Sequence, residues 1–186
     1  MGTYREFGRL IAPSYDDLRD ANKDWGCNCG PSAIAFALQK DLETVRKAVF
    51  EVGFYEKRYM NPTMMKRAIE ILGAIFMNVK CPVRNSGGGL DVEPLFPLDE
   101  CMSELSFVRV QWTGPWTQPG VNPRAAYGFT HWCVTWTERN VPLVFDCNSG
   151  ITGLMEWENE TVPRITETIP RADGDWFPTH IWRVMR

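Results

Sequence analysis

Asp24-Trp25-Gly26-Cys27-Asn28-Cys29-Gly30-Pro31-Ser32-Ala33-Ile34-Ala35 is the stretch on which the reading of this chain turns. Proline suits the first turn of a helix, where its missing amide hydrogen costs nothing. The small residues after Pro31 continue such a helix, with Ile34, Ala37 and Leu38 on one face. Cys29 therefore stands at or just before a helix start. Unsatisfied amide groups and partial positive charge there favour the thiolate, the nucleophilic form of cysteine. Gly30 removes bulk beside the sulfur, so a carbonyl can approach it. The plainer alternative is a cysteine that only packs the helix start.

A thiolate at neutral pH is best kept by a neighbouring imidazolium. The chain has two histidines. His131 opens the apolar run His131-Trp132-Cys133-Val134-Thr135-Trp136, which reads as a strand. A second run, Leu143-Val144-Phe145, ends in Asp146. Joined by a turn over Glu138–Pro142, the two strands would bring Asp146 beside His131, where a carboxylate fixes the ring tautomer and stabilises its cation. His180 is the competing base, but no acidic residue follows it.

Outward from this centre, the first half of the chain reads as helical and the second as strands. Helices are expected over Ala12–Ala21, from Pro31, over Leu42–Val52 with Asp41 as cap, and over Pro62–Leu72 with Asn61 as cap and Gly73 as terminator. Met65, Ala68, Ile69 and Leu72 make the core-facing stripe of the last. Strands are expected over Ala74–Lys80, Phe107–Thr113, His131–Thr137, Leu143–Asp146 and His180–Met185. Asn85 to Gly89 reads as a flexible loop without the lysine of a phosphate-binding loop. Gly114 to Tyr127 reads as a long irregular connection. Helices followed by antiparallel strands make an α+β fold, and 186 residues suit one domain spanning 1–186.

Cys-Gly-Pro-Ser-Ala, then an apolar helix, a strand-borne histidine and a strand ending in aspartate together resemble the papain-like cysteine peptidase superfamily. The nearest flavour is the branch similar to phytochelatin synthase. The Trp-Gly-x-Asn-Cys-Gly-Pro and Thr-His-Trp stretches of uncharacterised phage and bacterial members are also similar. The resemblance runs from about Asn22 to Asn148. It implies Cys29 as nucleophile, His131 as base and acid, and Asp146 as orienting group. An amide or thioester would be attacked, with an acyl-enzyme then hydrolysed or passed to an amine. The backbone amide of Cys29 would supply half of an oxyanion hole. The family places a glutamine six residues before its cysteine, where this chain has Lys23, leaving Asn22 or Asn28 as the side-chain donor. Trp25, Trp112, Trp116, Trp132 and Tyr127 are expected to wall a substrate cleft, or else to pack the core.

Three other readings compete. Cys27, Cys29, Cys133, Cys147 and His131 offer zinc ligands, although Cys27-Asn28-Cys29 lacks the usual two-residue spacing of a zinc knuckle. A papain-like fold without chemistry would bind a protein partner through its cleft. A transglutaminase-like acyl transferase uses the same order of Cys, His and Asp. Composition narrows the field further. With a net charge of −3 and scattered cations such as Arg5, Lys40, Arg46, Lys57 and Arg124, the chain does not resemble a nucleic-acid binder. No apolar run suits a membrane span and no leader stands in Met1 to Leu10, so a cytoplasmic protein without a required cofactor is expected, with a peptide or amide as substrate. Cys81 and Cys101 complete six cysteines, which a chain with this much core material does not need as disulfides.

Overall fold

The computed structural model describes residues 10–79, 105–122, 128–138, 141–148, 154–156 and 176–185. Arg5, Cys81, Cys101, Arg124 and Tyr127, the loop from Asn85 to Gly89 and residues 139–140 of the expected turn lie outside them.

Five α-helices come first: α1 (Tyr15–Trp25), α2 (Cys29–Leu38), α3 (Leu42–Glu51), the short α4 (Phe54–Lys57) and α5 (Pro62–Ile71). Side chains cap the start of four of them. Ser14 accepts from the amide of Asp17, Asn28 from Gly30, Asp41 from Thr44 and Asn61 from Met64. Helix α1 thus begins at Tyr15, not Ala12, and stops where Gly26 turns left-handed at φ 78°. Helix α2 starts at Cys29, two residues before Pro31, because Asn28 is its cap.

Strands β1 (Ile75–Val79), β2 (Ser106–Trp112), β3 (Thr130–Glu138), β4 (Val141–Phe145), β5 (Leu154–Glu156) and β6 (Trp176–Met185) form one antiparallel sheet in the order β1-β6-β2-β3-β4-β5. The expected α+β class is therefore what the chain adopts. Helix α4 and strand β5 were not foreseen, and a 3₁₀ turn at Pro115–Thr117 breaks the long connection.

Helix α2 is the axle of the fold. Gly30 to Ala37 are all buried, so it is apolar all round, as a helix sandwiched between other helices and a sheet must be. Phe36 stacks on Phe145 of β4 at 4.4 Å and leans on Trp136 of β3 at 5.0 Å. Val45 and Val49 of α3, Met65 and Ile69 of α5, and Trp132, Val134 and Trp182 of the sheet close the same cluster. All seven residues of β2, the strand between β6 and β3, are buried. This packing fixes the start of α2 against one end of β3.

Candidate active site

Cys29 is the first residue of α2, and three other elements hold the loop before it. Asn22 of α1 donates its amide to the carbonyl of Cys27 at 2.6 Å. Arg58, left-handed at φ 58°, reaches back to donate to the carbonyl of Trp25 at 2.7 Å, while its own carbonyl accepts from Asn28 at 3.0 Å. Met60 lies over Gly30, where an added Cβ would come within 2.5 Å of its Cγ. The carbonyl of Met60 accepts in turn from the Trp132 indole at 2.9 Å. Gly30 is thus a glycine because Met60 needs the space, a packing reason that its neighbours in sequence do not show.

The β3–β4 ladder runs from Glu138↔Val141 to Val134↔Phe145 and stops there. Asp146 directly follows its last pair, and His131 lies three residues beyond it on β3, where it pairs with Val110 of β2. Both are buried, and His131 Nε2 donates to Asp146 Oδ1 at 2.9 Å. The same carboxylate oxygen accepts from the amide of Asn148 at 2.8 Å, so it is held from two sides. With Nε2 engaged, Nδ1 is the ring atom left to face Cys29.

Electrostatics follow from this arrangement. Burial pushes the Cys29 thiol pKa up, but the His131 charge, the hydrogen bond from its ring and the Trp132 amide outweigh it and hold the group below its ordinary value. Burial likewise disfavours the His131 cation, yet the charges of Cys29 and Asp146 and the two hydrogen bonds raise its pKa to about 10. Both shifts favour the charged pair, thiolate and imidazolium, over the neutral one. Cys27, Cys133 and Cys147 go the other way, since burial keeps each of them a thiol.

The structure brings Cys29, His131 and Asp146 together. It leaves His180 two strands away, between Trp132 and Trp182, with Nδ1 at 3.1 Å from the Thr179 hydroxyl. Burial and the Arg109 charge lower the His180 pKa. Neither amide expected in the oxyanion hole points into open space. Asn22 donates to Cys27 and Asn28 to Arg58, each to a backbone carbonyl of the loop that frames Cys29.

Of the two roles expected for Trp25, Trp112, Trp116 and Trp132, the packed one is what burial shows, for all four are buried. Trp25 meets Phe50 and Phe54 edge-on in the helical core. Trp116 stacks on Phe129 at 3.6 Å and donates to the carbonyl of Trp112. Trp132 packs against Trp182. Trp112 lies beside the His131 ring, 6.2 Å between centroids, and walls that ring in. Aromatic rings this large contribute most when removed from water, and the core took them. For the zinc reading, no group of three or more His, Cys, Asp or Glu among the described residues is placed to hold a metal ion. Sequence reasoning missed Arg58, Met60 and Ser32 as neighbours of the site. Arg58 and Met60 lie some 30 positions beyond Cys29, and no local pattern marks them.

No protein-family model matches the sequence, and no curated protein or solved structure matches it either.

Proposed function

We propose that this chain is a cysteine-dependent hydrolase of the peptidase or amidase type. One observation carries the reading: a sulfur at a helix N-terminus lies close enough to an imidazole for each to favour the other's charge, and that ring is held at 2.9 Å by a buried carboxylate. Nucleophile, base and orienting group in that relation are what acyl transfer through a covalent intermediate requires. The Cys29 thiolate attacks the carbonyl carbon of an amide. Negative charge gathers on the carbonyl oxygen near the backbone amide of Cys29, at the start of α2. His131 gives its proton to the leaving amine, and an acyl-enzyme remains. His131, now neutral, takes a proton from water, which attacks the acyl carbon and releases the acid and Cys29. Asp146 stays ionised and keeps the ring aimed. Peptides or other amides are the substrates we assign, and a reducing compartment such as the cytoplasm suits a centre that needs a free thiol.

Iodoacetamide labelling across pH, with the modified cysteine mapped by mass spectrometry, tests this. Cys29 should react first and at a pH well under the ordinary thiol value of 9.0, and His131→Ala should remove that advantage. Labelling of Cys29 no faster than that of an ordinary thiol sinks the proposal. A second reading, a papain-fold binding module without turnover, draws on the commitment of both Asn22 and Asn28 to backbone carbonyls. Fast labelling of Cys29 with no hydrolysis across a broad peptide and amide panel would favour it.

A further inference from the structure

Arg58-Tyr59-Met60 crosses beside Asn28-Cys29-Gly30, and both ends of the crossing are fixed. At one end Asn28 donates to the Arg58 carbonyl at 3.0 Å, and the Arg58 guanidinium donates to the Trp25 carbonyl at 2.7 Å. At the other end Met60 fills the space beside Gly30, where an added Cβ would come within 2.6 Å of its Cβ. The three residues thus lie as a strap along the residue that carries the sulfur. A further bond ties this strap to the sheet. The Trp132 indole donates to the Met60 carbonyl at 2.9 Å, and both residues are buried. Trp132 directly follows His131 on β3. One side chain and one carbonyl therefore link the strand of the base to the loop of the nucleophile.

We propose that Trp132 is a positioning residue for the triad: through the Met60 carbonyl it holds the strap, and with it the start of α2, at the place that sets Cys29 against His131. The inference rests on the reading of Cys29 and His131 as nucleophile and base. Further along α2, Phe36 is held by apolar contacts with Phe145 and Trp136. Hydrophobic burial has no preferred direction, so such contacts leave room for small slides. A buried hydrogen bond is directional, and it fixes the distance and the angle of what it holds. Tryptophan suits this task, since its donor stands at the far edge of a rigid ring with two rotatable bonds. The indole is itself held in place, 5.1 Å from the Trp182 ring and 6.5 Å from the His180 ring between centroids.

In this role Trp132 transfers nothing; it sets a separation. The attraction between a thiolate and an imidazolium falls as they move apart, and so does the support each gives to the other's charge. Without the indole donor the Met60 carbonyl is left buried and unsatisfied, a costly state that a shift of the strap relieves. Met60 packs directly on Gly30, so a moving strap carries the Cys29 backbone with it. All three members of the triad stay present, yet the sulfur loses part of its thiolate character. A small misplacement of a nucleophile is enough to slow the reaction it performs.

Iodoacetamide labelling of Cys29 across pH in the reduced full-length protein gives the midpoint that tests this, and denaturant unfolding gives the stability of each variant. Trp132→Phe keeps an aromatic ring but loses the donor. Its midpoint should rise towards the ordinary 9.0, with labelling at neutral pH slowed by about 3- to 10-fold. Trp136→Phe makes the same truncation on the same strand, where the ring packs on Phe36, and should lose stability without moving the midpoint. Met60→Ala keeps the carbonyl but cuts the contact with Gly30, so its midpoint should rise too. Adding Trp132→Phe to it should change little more, because both act through one strap. An unmoved midpoint in Trp132→Phe, an equal shift in Trp136→Phe or full additivity in the double variant overturns this inference alone. If Trp132→Phe does not fold, Met60→Ala decides: a raised midpoint supports the inference and a wild-type midpoint overturns it. Wild-type Cys29 that labels no faster than an ordinary thiol overturns the hydrolase reading and this one together.

Discussion

At the residue scale the centre depends on charge balance, and each member has a distinct signature. Asp146 raises the His131 pKa both through its charge and through its hydrogen bond, after Cys29 as the larger favourable charge. Asp146→Asn keeps the shape and an acceptor for the ring while removing the charge. The His131 titration midpoint, read from ring resonances by NMR, should move down from about 10. A midpoint that stays in place would mean that Asp146 orients the ring without stabilising its cation. Gly30 makes a different kind of demand. An alanine there drives its Cβ into both Cβ and Cγ of Met60, which a rotation of the methionine tip does not relieve. Gly30→Ala should cost ~1–3 kcal/mol of stability by overpacking. It should also slow Cys29 labelling as the loop is pushed aside, both readable from denaturant unfolding and labelling rates.

At the element scale, the starts of α3 and α5 were legible because their causes are local. Asp41 and Asn61 sit just before their helices and accept the first amides, as their side-chain chemistry predicts, whereas Ser14 caps an α1 that begins three residues after the expected start at Ala12. Asn28 does the same for α2, yet the sequence pointed to Pro31 as the starting signal, and the true start lies two residues earlier. The His131–Asp146 pairing was legible too, since two neighbouring antiparallel strands return the chain to a place their lengths determine. Short elements such as α4 and β5 carry too few residues for a periodic pattern. Arg58 and Met60, which clamp the Cys29 loop from across the helical layer, were not legible, because tertiary packing alone brings them there. This separates two capping residues of the same type. Asn28→Ala and Asp41→Ala should each cost about 0.5–2 kcal/mol through loss of a cap. Asn28→Ala also releases the Arg58 carbonyl and should slow Cys29 labelling, whereas Asp41→Ala, at the start of α3, should leave the rate unchanged. Equal labelling in the two variants would show that the clamp has no part in setting the site.

For the whole molecule, the buried sulfurs and His131 together set how stability responds to pH. Unfolded, histidine titrates at 6.5 and cysteine at 9.0. Between those values the two shifts oppose each other: the raised His131 pKa makes stability fall as pH rises above 6.5, and the lowered Cys29 pKa makes it rise towards 9.0. Above 9.0 the balance tips. The unfolded chain releases its thiol protons, while burial keeps them on Cys27, to about 11, and on Cys133 and Cys147, and His131 keeps its own to about 10. The folded state then binds more protons, and stability must fall as pH rises. Below 6.5 the unfolded His180 takes a proton that burial and Arg109 deny the folded ring, so stability falls with acid as well. The melting temperature should therefore drop steeply as pH rises above 9.0. Cys27→Ala removes one retained proton, which should make the alkaline fall shallower by about 1.4 kcal/mol per pH unit while Cys27 would have stayed protonated. Denaturant unfolding of both proteins over this range measures that difference in slope. Parallel alkaline limbs would show that Cys27 exchanges its proton as readily folded as unfolded, and that the burial of this sulfur exerts no hold on its charge.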